Sequence, residues 1–220
     1  MKEVKRQQGK SGILSAAGKI RKSISSGYFN DFSLRPNGSD IFNPSYETFL
    51  DTWEKSQSPK IIITYKNKTC LDLNLQIRER RFGNADLPVQ KSEIVIMGGN
   101  NYRKGVLNGE FAVVNSVSSS SESRTVALKG QEPVQLTWRE VELVFPDAES
   151  ENKIVRCKII ENFLYGDNFL LPGETQALYV DFINRHPGLK RGSEEFKQAI
   201  MKDDYFNCLL IKFGYVQELS

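Results

Sequence analysis

The stretch Glu93 to Val117, EIVIMGGNNYRKGVLNGEFAVVNSV, decides how the rest of the chain is read. Ile94, Val95, Ile96 and Met97 have the β-branched and apolar content of a strand, and Phe111, Val113, Val114 and Val117 supply a second. Between them, Asn108-Gly109 is the dipeptide that most readily takes positive φ at both central positions of a tight turn, which predicts a hairpin. Gly98, Gly99 and Gly105 loosen the backbone around Asn100, Asn101, Tyr102, Arg103 and Lys104. That loop is expected to present amides, an aromatic ring and two cations to solvent.

On the C-terminal side, the serine-rich tract Ser118 to Ser123 reads as a long inter-strand connection. Strands are predicted at Thr125–Lys129, Val134–Phe145 and Lys153–Ile160. Within the second, the apolar phase switches from Val134, Leu136 and Trp138 to Val141, Leu143 and Phe145, which implies a bulge or sharp bend of the kind that closes small barrels. Several short strands around one turn-rich core suggest an SH3-like barrel. Helices follow at Gln176–Asn184 and Ser193–Met201, and Tyr205–Tyr215, YFNCLLIKFGY, reads as one buried strand. The single histidine, His186, lies in the turn between those helices beside Pro187 and reads as structural.

On the N-terminal side, Met1 to Ile24 has helical spacing through Ile13, Leu14, Ala17, Ile20 and Ile24, with Ser11-Gly12 able to interrupt or start the helix. Gly9-Lys10-Ser11 mimics the end of a P-loop, but Val4 stands where the motif needs glycine and no strand precedes it. Gly27 to Pro44 is a loop, and Ser45 to Trp53 suits a short amphipathic helix. Lys60 to Tyr65, KIIITY, is a continuous apolar run of the sort buried in parallel sheets, and Cys70 to Arg80 has helical spacing, giving half of a βαβ unit. Thr64, Asn67 and Lys68 stand at the end of that strand, where open α/β sheets bind ligands; Asn67 and Thr69 suit a helix cap equally well.

At 220 residues the chain can bury a real core, and 39% hydrophobic with 26% charged residues is an ordinary globular composition. A net charge of +3 is too small to argue for nucleic acid, yet Met1 to Arg35 carries eight Lys or Arg against two acids, so the remaining body is net negative. That basic segment suits phosphate contact or a solvated helix face. Cys70, Cys157 and Cys208 are too far apart for a zinc or disulfide framework, which points to a reducing cytosol. No apolar run reaches the ~20 residues needed to span a bilayer, so no membrane partner is expected. Neither a nucleophile with its base, nor paired carboxylates, nor a metal cluster emerges, which argues against a self-contained metabolic enzyme.

The succession Asn100-Asn101-Tyr102, Gly105, then Leu107-Asn108-Gly109-Glu110-Phe111 resembles the small β-barrel inserted in the second motor domain of RecD-like superfamily 1 DNA helicases. Read without it, the stretch is a glycine-rich hairpin loop of some other β-domain. The resemblance extends to Glu3-Val4-Lys5-Arg6-Gln7, Ser11-Gly12-Ile13-Leu14, Ala17 and Ile20-Arg21, and to the Ile63-Thr64-Tyr65 element with Asn67-Lys68. It implies an α/β fold: a partial RecA-like second motor domain (1–90), an inserted SH3-like β-barrel (91–171), a helical segment (172–204) and a returning strand (205–220). It also implies that Arg6 reaches the γ-phosphate of ATP, and that Thr64, Asn67, Lys68, Asn101, Tyr102, Arg103 and Lys104 contact single-stranded DNA.

Such helicases carry their P-loop and Mg²⁺-binding carboxylate in a first motor domain, expected before Met1. After the Phe213-Gly214-Tyr215 strand they continue Thr-Cys-His-Lys-Ala-Gln-Gly, where this chain has Val216-Gln217-Glu218-Leu219-Ser220. The expectation is a fragment whose parent uses ATP and Mg²⁺ but which binds neither alone and lacks its first-motor-domain partner. A stand-alone binding module and a non-functional remnant are the other readings.

Overall fold

The computed structural model describes residues 11–29, 35–57, 60–147, 151–165 and 170–218. The chain is mixed α/β and divides into two compact units, Met1–Lys60 and Ile61–Ser220.

The first unit holds helices α1 (Gly12–Ser26) and α2 (Tyr46–Lys55). Ser11 starts α1 by accepting from the Leu14 amide, and Ser45 starts α2 by accepting from the Thr48 amide; each satisfies an amide the helix cannot. Leu50 and Trp53 are the buried side chains of α2. Lys60 lies over the Trp53 ring, 4.4 Å from its centre, and donates to the Ser56 carbonyl at 2.6 Å.

The second unit begins with β1 (Ile62–Thr64) and α3 (Asn67–Phe82) and continues with β2 (Ile94–Met97), β3 (Phe111–Val126), β4 (Val134–Phe145) and β5 (Lys153–Ile160). Helices α4 (Pro172–Arg185) and α5 (Glu194–Lys202) follow, then β6 (Ile211–Phe213) and β7 (Val216–Glu218). Five strands form an antiparallel sheet in the order β5-β4-β3-β2-β6, while β1 and β7 form a parallel pair. β5 and the residues leading into β6 meet through an isolated bridge between Ile159 and Leu209, with the Leu209 amide donating to the Lys158 carbonyl at 2.8 Å, so the two edges of that sheet close on each other at this one point. Trp138, Leu136, Ile160, Phe163 and Leu178 fill its interior with α4 packed across β4 and β3, and the Trp138 indole donates to the Tyr205 carbonyl.

Four expectations are corrected. The serine tract is not a connection: it lies inside the 16-residue β3, paired with β4, with register shifts at Val114/Ser116 and Val117/Ser121. Pairing overrides the poor strand preference of serine. The phase switch in β4 is thereby accommodated by bulges on its partner, and the buried Arg139 guanidinium donates to the Ser118 carbonyl in the second of them and pairs with Glu161.

The run Tyr205–Tyr215 is not one strand. Residues 203–207 form a turn, β6 joins the antiparallel sheet, and β7 pairs with β1 only after Tyr215. The run KIIITY is not buried on both faces: Ile62 is, but Ile61, Ile63 and Tyr65 are exposed, because α3 covers a single face of the β1–β7 pair. At Asn108-Gly109 only Gly109 has positive φ, +83°, and the Glu110 amide closes the turn on the Leu107 carbonyl, an arrangement that needs glycine only at its third position.

The parallel pair and the closed sheet are joined by one buried ion pair. Arg78 of α3 donates through Nε to Glu93 Oε1 at 2.6 Å, both side chains being fully shielded, and through Nη2 to the Leu87 carbonyl at 2.7 Å and Pro88 carbonyl at 3.0 Å. Its Nη1 donates to Tyr165 Oη at 3.1 Å and to the Ala85 carbonyl, and the guanidinium stacks 4.1 Å from the Phe213 ring centre. Nearby, Asn74 Oδ1 accepts from the Tyr215 and Val216 amides, each at 3.1 Å, and Nδ2 donates to the Val216 carbonyl at 3.2 Å. This side chain holds the start of β7 against α3.

Candidate nucleic-acid interface

Between the first turn of α3, the start of β7 and the β2–β3 turn lies a cleft of about 800 Å³. Its floor is apolar, with Leu71, Met97, Leu164, Phe213 and Val216, and its rim is polar, with Asn67, Lys68, Asn108, Asn162 and Lys212. The α3 N-terminus faces it without a side-chain cap: the cap position is Lys66, with extended backbone and no side-chain bond. Capping by Asn67 or Thr69 is therefore not observed, since both lie inside the helix. The positive end of the helix and the exposed Lys68 give this wall an affinity for anions.

The opposite wall is set by the loop. Gly98 sits against the Phe163 ring so closely that an added Cβ would lie 2.3 Å from it, which makes glycine a requirement. The Gly109 amide donates to the Met97 carbonyl at 2.9 Å, and the Asn108 amide donates to Asn100 Oδ1 at 2.8 Å. Asn100 Nδ2 in turn donates to Tyr102 Oη at 3.1 Å. Tyr102 is 79% exposed. It is linked to Asn108 through Asn100 and is not one of the residues that line the cleft.

The residues expected to touch DNA divide accordingly. Asn67 and Lys68 line the cleft, and Thr64 Oγ1 donates to the Gln217 carbonyl at 3.3 Å, tying β1 to β7. Asn101 is structural: its Nδ2 donates to the Asn207 carbonyl at 3.0 Å and its Oδ1 accepts from the Lys104 amide at 3.1 Å.

Of the two cations, Arg103 is exposed as expected while Lys104 is half-buried, and both are engaged by neighbouring groups. Arg103 donates to the Lys202 carbonyl at 2.6 Å, at the C-terminus of α5, and pairs with Asp204; Lys104 donates to the Arg156 carbonyl at 3.3 Å and lies 3.7 Å from Asp204. A helix C-terminus attracts cations for the same dipolar reason that its N-terminus attracts anions. Arg6 lies outside the described residues. His186 stacks on Phe182, ring centres 4.5 Å apart, in keeping with a structural role.

Lys212 was not singled out in the sequence, although a lysine alternating with Ile211 and Phe213 marks the strand face that leaves the core. Its ammonium lies 5.4 Å from the Phe163 ring centre. Among the described residues lining the cleft the one carboxylate is Glu174, which already accepts from the Leu171 amide at 2.9 Å and Asn162 Nδ2 at 3.0 Å.

Burial pushes the thiols of Cys157 and Cys208 up to about 12, leaving them protonated and unreactive at neutral pH. Among the described residues no group of three or more His, Cys, Asp or Glu is placed to hold a metal ion, and no helix is long and apolar enough to cross a membrane. No protein-family model matches the chain, and a search of curated proteins returns no match.

Proposed function

We propose that this chain is part of an ATP-driven DNA helicase of the RecD-like kind, acting in the cytosol, and that its share of the work is to hold single-stranded DNA. In this reading α3 and the β1–β7 pair belong to a RecA-like second motor domain, the closed sheet is an inserted SH3-like barrel, and Arg6 serves an ATP site completed by a first motor domain. The observation that supports the reading is a cleft lined by Asn67 and Lys68 of one inferred DNA-contacting segment and by Asn108, whose amide is hydrogen-bonded to Asn100, the residue that in turn bonds Tyr102 of the other. An exposed ring, together with the lysines that line the cleft, suits any base sequence, because every base has a face to stack and every nucleotide a phosphate.

The cleft does not fit a magnesium–nucleotide complex, since its one described carboxylate is engaged by protein donors.

Fluorescence anisotropy with a labelled single-stranded oligonucleotide tests the proposal. Two cations, Lys68 and Lys212, set the expected dependence of log K on log salt at about −1.4. Tyr102→Ala should weaken binding at least about fivefold, whereas Arg103→Ala should change it little because that side chain is held by α5. Absence of binding at low salt, or full affinity in the Tyr102→Ala variant, removes the proposal.

A further inference from the structure

Among the described helices α1 alone buries no side chain. Ile13, Ala17, Ile20 and Ile24 recur at four- and three-residue spacings and so share one face, on which the isoleucines stand 49%, 44% and 66% exposed. Lys19 and Arg21 flank this stripe, about 100° to either side of Ile20, and Lys22 lies opposite; the helix holds no acid. Its first turn is tied down by the Gly12 amide, which donates to Asp40 Oδ2 at 2.8 Å, and Tyr28 and Phe29, just past the Gly27 cap, are exposed. A helix of 15 residues is marginal in water unless its apolar face is buried, and Gly18 with the serines and isoleucines weakens it further.

Charge and shape narrow the occupant. A second α1 would set cation against cation with no acid on either side. A nucleic-acid backbone would answer the cations but leave the isoleucines in water. An anionic lipid surface answers both: its headgroups meet Lys19, Arg21 and Lys22, the apolar stripe enters the acyl boundary, and Tyr28 and Phe29 supply further apolar area beside it. The charge around the helix is also spread out, Met1 to Arg35 carrying eight Lys or Arg against two acids, which suits a diffuse charged plane better than one partner's pocket. α1 is too short to cross a bilayer, but lying on one requires no such length. We propose that α1 is a membrane-surface helix that lays its isoleucine face on anionic phospholipid, an activity separate from strand binding.

Co-sedimentation of the full chain with phosphatidylcholine vesicles, with and without phosphatidylglycerol, tests this. At low salt the chain should prefer the anionic vesicles about a hundredfold, three surface cations contributing about fivefold each, and raising the salt should remove most of that preference. The triple variant Lys19→Gln, Arg21→Gln, Lys22→Gln should lose the preference. The double variant Ile20→Ser, Ile24→Ser should bind the anionic vesicles at least about tenfold more weakly. Neither variant alters a buried side chain, so urea unfolding should match the wild type for both. Failure of the wild type to sediment with anionic vesicles, or wild-type sedimentation of the serine variant, overturns the proposal. If the serine variant sediments as the wild type does and the glutamine variant also loses affinity for a single-stranded oligonucleotide, the basic face of α1 serves nucleic acid instead.

Discussion

Replacing Arg78 by methionine puts the architecture of the cleft to its most direct test. The guanidinium is fully shielded and donates to both Glu93 oxygens, to the Ala85, Leu87 and Pro88 carbonyls and to Tyr165 Oη. Methionine keeps the aliphatic stem but strands the Glu93 carboxylate, which keeps the Gln90 amide as a neutral donor at 2.6 Å. Breaking a buried pair by removing one partner costs about 3–5 kcal/mol, because a charge is left uncompensated in a poorly polarisable interior. For a chain of this size that corresponds to a fall in melting temperature of roughly 10 °C.

Urea unfolding followed by circular dichroism gives the free energy, and a double-mutant cycle with Glu93→Leu isolates the pair. The double variant should recover about 2 kcal/mol relative to the sum of the single changes, since both charges are then absent. The same variants should bind single-stranded DNA more weakly even at temperatures where they are folded, because Arg78 fixes α3 against the segment leading to β2. A cost below about 1 kcal/mol, or additivity in the cycle, would falsify the claim that this buried pair joins the β1–β7 pair and α3 to the larger sheet.

Gly98→Ala should cost about 1–3 kcal/mol in urea unfolding, and Phe163→Leu in the same chain should restore part of it, since the collision is with that ring. At Asp203, burial alone would raise the carboxyl, but the Arg185 guanidinium and the Phe206 amide outweigh it and hold the group below its ordinary value. Its contribution to stability is therefore present above the ordinary carboxylate range and lost as pH falls through the lowered value. Wild-type stability should accordingly drop more between about pH 4 and pH 2 than that of Asp203→Asn. The excised segment Lys91–Leu171 should give a poorly dispersed amide spectrum, because β6, Leu209 and the core residues Ala177 and Leu178 lie outside it.

How far the fold could be read from the residues depended on whether the information was local. Strands β4 and β5 were legible to the residue, and β2 likewise, because branched and apolar side chains are bounded there by turn-forming residues. Serines carry no such signal, so the middle of β3 was legible only through its partner. Likewise, an apolar run says that a segment is buried but not with whom it pairs: nothing local to Tyr205–Tyr215 reveals that Gly214 and Tyr215 carry the chain from an antiparallel neighbour to a parallel one.

The site followed the same division. The place of Asn67 and Lys68 at a strand end and the exposure of Tyr102 and Arg103 follow from residue type and position, while the anchoring of Arg103 and Lys104 was not legible because their partners, the end of α5 and Asp204, come from about a hundred residues away. Lys212 and Gln217 reach the cleft only through the β6–β7 crossover, which the sequence does not announce.

That crossover also explains why the cleft has a defined width. Within a few residues Phe213 lies against the Arg78 guanidinium, Gly214 donates to the Ile94 carbonyl at 2.9 Å, and the Tyr215 and Val216 amides donate to Asn74. One short segment is therefore fixed to the closed sheet at one end and to α3 at the other. The wall bearing Asn67 and Lys68 cannot move relative to the wall bearing Asn108 without breaking these bonds or unpairing β7 from β1. A site built on two rigid walls holds a flexible strand at lower entropic cost than one built on loops. This is a physical reason for an asparagine and an arginine to stand on the buried face of α3, where leucine would otherwise pack as well.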